Sequence, residues 1–236
     1  MDTGLIKHDE ILSQLTEVGL DLDEELDISS KIDIPRIRIE HKNNGKHRMY
    51  IDHGENYLGI ESQEESIEGN TFRAVIFSEQ EIRALWEEGE SLPKCSAVNG
   101  IPTVDNPVNP QCTGCPESVI GEGNCKPKVR LWLLIEHVDT IKPFVHALSP
   151  TSIKHWRSHK RKLQRSRLPV IAVNTIFTLE DVKKNSYRWA EVTFDVDGIP
   201  DKPMLIKAKD AREELNRIMG KITDSDFTDP GDKLPF

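Results

Sequence analysis

The 236-residue chain has no apolar run long enough to span a bilayer, and its opening stretch, MDTGLIKHDE, lacks the basic-then-apolar pattern of a secretory signal. These absences predict a soluble, cytoplasmic protein whose thiols stay reduced, so disulfides are not expected. Acidic residues are also missing from one long stretch. Between Ile141 and Leu179 there are eight Lys or Arg and no Asp or Glu, although the whole chain has a formal net charge of −9. The acid is at the ends: residues 1–30 hold nine acids and one Lys, and residues 222–236 hold four Asp and one Lys. A chain that is acidic at both ends and basic inside has the asymmetry that suits a polyanion partner.

The length suits one domain with an insertion. Residues 1–32 read as an acidic peripheral helix and linker, with Ile11, Leu12, Leu15 and Val18 at helical spacing ahead of DLDEELD. The body, residues 33–221, opens with IPRIRIEHKNNGKHRMYID, two alternating runs about Asn43-Asn44-Gly45. A two-residue turn would mix apolar and polar residues on each face. A three-residue loop pairs Ile39 with Met49 and Ile37 with Ile51, which leaves Arg36, Arg38, Arg48 and Tyr50 on the opposite face.

The same sorting recurs downstream. In KVRLWLLIE, Val129, Leu131, Leu133 and Ile135 face the core, opposite Lys128, Arg130 and Trp132; in SYRWAEVTFDV, Ala190, Val192, Phe194 and Val196 do so, opposite Tyr187 and Trp189. Each face alone is an ordinary surface; three with cations and aromatics favour a ligand surface. FSEQEIRALWEEGE combines a capping-box start, Ser78 to Glu81, with helical spacing of Ile82, Leu85 and Trp86, and predicts a short helix, although Ile82, Ala84 and Trp86 also alternate. KAKDAREELNRIMG predicts a C-terminal helix with Ala208, Ala211, Leu215 and Ile218 on one stripe and Gly220 as its stop.

All four cysteines, Cys95, Cys112, Cys115 and Cys125, fall in the proline-rich stretch 93–127, which can build neither a long helix nor a central strand. Four thiolates around one structural zinc would order it, and C-x-x-C at Cys112-Cys115 is the strong part of that signal. An iron-sulfur cluster and four buried thiols remain alternatives. SPTSIKHWRSHKRKLQRSRLP predicts a helix of about four turns. Ile153, Trp156 and Leu163 lie on one side, and Lys154, Arg157, Lys160, Arg161, Lys162 and Arg165 spread over the rest. Nucleic-acid phosphates are one counter-charge for them, and the chain's own acidic ends are the other.

The tail, residues 222–236, has spaced aspartates, no apolar period and the ending Leu-Pro-Phe, so it is expected to be disordered. It resembles the acidic Pro-Phe tip of bacterial single-stranded DNA-binding proteins, although Lys233 interrupts its acids. That resemblance implies that Asp229, Asp232, Leu234, Pro235 and Phe236 dock replication or repair proteins. The middle, through PKCSAVNG, CTGCP, NCK, LSPTSIKHW and YRWAEVTF, resembles phage-encoded single-stranded DNA-binding proteins, acting in a bacterial or phage-infected cell. The fold this implies is mainly β (α+β): an OB-like barrel with a zinc-binding loop insertion, a basic helix and a C-terminal helix. The function it implies is sequence-tolerant binding of single strands in replication, recombination or repair, without catalysis. A cationic groove with flat side chains is what such binding needs. The alternatives are a metal-dependent DNA-processing nuclease, with Asp195 and Asp197 as candidate ligands in a loop that reads as a turn, and a zinc-ribbon adaptor or transcription factor that binds duplex DNA or protein.

Overall fold

In the first hairpin, β1 (Arg36–Glu40) and β2 (Arg48–Asp52), Ile37 pairs with Ile51 and Ile39 with Met49, the register expected from the apolar pattern. The computed structural model describes residues 34–41, 46–53, 64–87, 93–119, 122–137 and 140–218. The hairpin turn, the N-terminal helix and linker, and the tail with Asp229, Asp232, Leu234, Pro235 and Phe236 lie outside the described residues.

Eight further strands follow: β3 (Glu64–Ser66), β4 (Thr71–Leu85), β5 (Cys95–Val98), β6 (Ile101–Pro102), β7 (Lys126–His137), β8 (Thr140–Leu148), β9 (Asn174–Lys184) and β10 (Tyr187–Val196). Among the described residues they form one strongly curled, half-barrel sheet in the order β10-β9-β4-β7-β8-β1-β2-β3, with β5 added to β4 and β6 to β5. β1 and β8 run parallel, and the other pairs are antiparallel. The segment between β3 and β4 returns the chain to the middle of the sheet. There Asn70, at φ 53°, accepts from Met49 N at 2.8 Å and donates to His47 O at 3.0 Å, tying β2 to the start of β4.

β4 corrects the expected helix at Ser78–Trp86. Its residues alternate as well as they repeat, and strands claim both edges: β7 pairs Val75–Ala84, while β5 pairs Ile82–Leu85 on the other side. Ladder hydrogen bonds to two neighbours outweigh a capping signal, because local propensity is weak beside tertiary pairing. A bulge between Ile76 and Ser78 interrupts the ladder, and the Phe77 carbonyl accepts from Arg212 Nε at 2.6 Å.

One face of the sheet holds the larger core, with Ile37, Met49, Ile76, Leu131, Leu133, Phe144 and Phe177 packed together. Each such fully buried side chain contributes roughly 1.5–3 kcal/mol. Helix α1 (Pro150–Arg165) covers this core with Ile153 and Trp156. It starts after Ser149 with Pro150 in its first turn. It ends at Arg165, and just beyond it Arg167, with a φ of 56°, lets Leu168 N reach Leu163 O and Arg167 N reach Gln164 O, both at 3.0 Å. Ser152 and His159 join the expected Ile153, Trp156 and Leu163 on its buried stripe. The Ser152 hydroxyl accepts from Val192 N at 3.0 Å, covering an otherwise open edge of β10.

On the other face, helix α2 (Lys202–Ile218) sets Ala208 and Leu215 against Val75, Phe77 and Leu134, and Ala211 packs beside them as its stripe predicts. It begins earlier than the predicted segment because Asp201 caps it, accepting from Met204 N at 2.8 Å. In β10, Ala190, Val192 and Phe194 are buried as expected, but Val196 at the strand end is exposed. Among the described residues no helix is long and apolar enough to cross a membrane.

Candidate nucleic-acid interface and cysteine cavity

The cations of α1 divide into two sets. Lys154 Nζ lies 2.9 Å from the Glu191 carboxylate and Lys160 Nζ lies 2.6 Å from Glu79, so both help to dock the helix. Arg157, Arg161, Lys162 and Arg165 are exposed, and among the described residues none of the four forms an ion pair. Three are arginines spaced by four, so they form a ridge rising roughly 6 Å per step. The acidic ends expected to compete for these cations lie outside the described residues; the acids that pair with Lys154 and Lys160 come from the sheet instead. Glu79 was hidden in the stretch that reads as a helix, and Glu191 in a strand whose alternation marked it as an outward residue.

Glu191 is 5 % exposed and accepts from His155 at 2.6 Å, Trp189 Nε1 at 2.8 Å and Lys154 at 2.9 Å. Burial alone would push its carboxyl up; the hydrogen bonds from His155, Lys154 and Trp189 outweigh it and hold the group below its ordinary range.

The aromatics and arginines expected on one ligand face are used unequally. Trp132 belongs to the second core, donates to Gln80 at 2.9 Å, and lies beneath the Arg130 guanidinium at 6.0 Å from the ring centroid. Tyr50 is half-buried under Arg48, which also pairs with Glu40 and, at 2.7 Å, with Glu64. Arg38 pairs with Asp52 at 2.5 Å; Arg36, Lys128 and Arg130 are half-buried on β1 and β7. Trp189 is turned to Glu191. Tyr187 is different: at 74 % exposure it presents its ring at the tip of the β9–β10 hairpin, opposite Lys184 and next to Arg188, which faces Lys183. The composition of that tip, KKNSYR, was the available signal for the two lysines, which sequence reasoning missed.

Sheet register explains how cysteines 30 residues apart meet. β5 begins with Cys95 opposite Leu85, and β7 begins just after Cys125 with Lys126 opposite Ala84, so the two cysteines arrive on either side of the end of β4. The intervening loop folds Cys112 and Cys115 back: Cys115 N donates to Cys112 O at 3.2 Å around Gly114 at φ 79°. Ser118 Oγ holds the same turn through Cys112 O at 2.7 Å and Cys115 O at 2.8 Å. All four cysteines, unpaired in disulfides, line one small cavity with Leu85, Ser96 and Ser118. Burial pushes the Cys112 thiol up and that of Cys125 up to about 11, with Arg83 opposing both.

Four soft donors around one cavity suit zinc chemically. Among the described residues, however, no group of three or more His, Cys, Asp or Glu is set to hold a metal ion, so the sulfurs would have to draw together around it. Asp195 and Asp197, the candidate nuclease ligands, are exposed at the end of β10, and Asp197 lies 3.3 Å from Arg73.

No family model, curated protein or solved structure matches the chain.

Proposed function

We propose that this protein binds single-stranded DNA with little sequence preference, as an OB-like barrel without catalytic activity. The observation that carries this reading is the row Arg157, Arg161 and Arg165, with Lys162 beside it, exposed on α1 and unmatched by any described acid. Phosphates are the counter-charge such a row fits. Tyr187 and its neighbouring cations supply the second element, a flat ring for an unpaired base beside charge for the backbone. In this reading zinc, held by Cys95, Cys112, Cys115 and Cys125, orders the insertion on the edge of β4 and takes no part in chemistry.

The test is fluorescence anisotropy with labelled oligo-dT and a matched duplex over a salt series. The full chain is expected to prefer the single strand. Replacing Arg157, Arg161 and Arg165 together by Gln should lower the magnitude of the log–log salt slope by about 2, at about 0.7 per lost phosphate contact. Equal or stronger binding to duplex, or no binding to oligo-dT, would overturn the proposal.

A further inference from the structure

Arg83 lies at the centre of the register that assembles the cysteine cavity. It sits opposite Ala97 of β5 and Pro127 of β7, each two residues past a cysteine, and shares its face of β4 with Leu85, which lines the cavity. Its side chain is only 15 % exposed. One arm of the guanidinium donates to Ser118 O at 3.2 Å, and Ser118 in turn holds the Cys112 and Cys115 carbonyls. Nε and the other arm meet the more exposed Glu81 carboxylate at 3.1 Å. A cation is thus held, through Ser118, beside a cavity lined by the four cysteines and by Glu117, whose carboxylate is turned to Asn124.

We propose that Arg83 is the positioning and charge-balancing residue of the four-cysteine site, a role that rests on the zinc reading above. A divalent ion with four thiolates carries net negative charge, and a half-buried guanidinium bonded to the same loop lowers the cost of holding it there. Glu81, on the solvent side of that guanidinium, acts in the opposite sense. This pairing gives the role a sign that packing alone would not have.

The experiment is competition for zinc between the full chain and a chromophoric chelator, with cobalt(II) as a spectroscopic reporter of thiolate coordination. One zinc per wild-type chain tests the underlying reading; no zinc in the wild type overturns both. Given a zinc-binding wild type, Arg83→Gln should weaken zinc affinity by about tenfold or more, as loss of a ligand-orienting partner does. It should keep the cobalt–thiolate charge-transfer bands, because the ligands are intact. Arg83→Lys should recover part of the affinity, and Glu81→Gln should tighten binding. Wild-type affinity in Arg83→Gln, or weakening by Glu81→Gln of the same size as that by Arg83→Gln, would overturn the role while leaving the zinc site standing.

Discussion

The indole N–H of Trp156 donates to the Glu79 carboxylate at 2.6 Å, joining the buried side of α1 to the middle of β4. Lys160 closes on the other oxygen of that carboxylate and lies 5.5 Å from the Trp156 ring centroid. Glu79→Leu leaves a buried indole donor without an acceptor and should cost about 1–3 kcal/mol in urea unfolding. Glu79→Gln keeps an acceptor and should cost less. Equal losses for the two variants would show that the hydrogen bond does not anchor the helix.

How far the sequence reached is clear from the same helix. Its extent and the buried Ile153, Trp156 and Leu163 were legible, because a 3.6-residue period depends only on local order. Which cations are free was not, since Glu79 and Glu191 come from strands 37 to 81 residues away. β4 was misread for a related reason. Ser78 and Glu81 fit a capping box locally, and only pairing with β5 and β7 decides the matter. The spacing of the cysteines suggests one group, and all four line one cavity, yet their convergence is a product of β4 register that spacing does not encode. Trp132 alternated like a surface residue because the sequence does not show α2 packed over that face.

Acid should destabilise the protein in two stages. His146 is buried, donates through Nδ1 to Ile37 O at 2.8 Å, and burial lowers its pKa below 6.5, although that hydrogen bond opposes the shift. His159 is also shifted down by burial and then by Lys162, against Asp195. The unfolded chain therefore takes up protons first, and stability falls as pH drops below 6.5. Glu191 acts lower. Its folded pKa is depressed, so its contribution is present above 4.5 and is lost as pH falls through the folded value. Urea midpoints at about pH 7.5 and about pH 5.5 should differ for wild type and differ less for His146→Asn, which keeps a donor toward Ile37. A pH-independent wild type across that interval would contradict the histidine assignment.

Gly123 holds the cysteine loop by the absence of a side chain. A Cβ there would collide with the backbone carbonyl of Glu117, which accepts from Cys125 N at 3.0 Å. Because the clash is with backbone, Gly123→Ala must shift the loop and displace Cys125. The expected outcome is a loss of about 1–3 kcal/mol or more in stability. Faster hydrogen exchange should be confined to residues 112–125, with protection in β7 beyond Leu131 unchanged. Uniform loss of protection across the sheet would mean that the insertion is integral to the barrel.

The exposure of Tyr187 and the packing of half-buried Trp132 against the second core predict opposite phenotypes. Under the single-strand reading, Tyr187→Ala removes a ring that is 74 % exposed, so unfolding should change by less than about 0.5 kcal/mol. If a base stacks there, affinity for oligo-dT should fall by about 1–3 kcal/mol. Trp132→Ala should do the reverse, costing about 3–5 kcal/mol of stability through the cavity under α2, with oligo-dT affinity of the folded fraction unchanged. Anisotropy titrations and urea melts on the two variants read both quantities. Unchanged affinity in Tyr187→Ala would remove the hairpin tip from the interface and leave the arginine ridge to carry binding by charge alone.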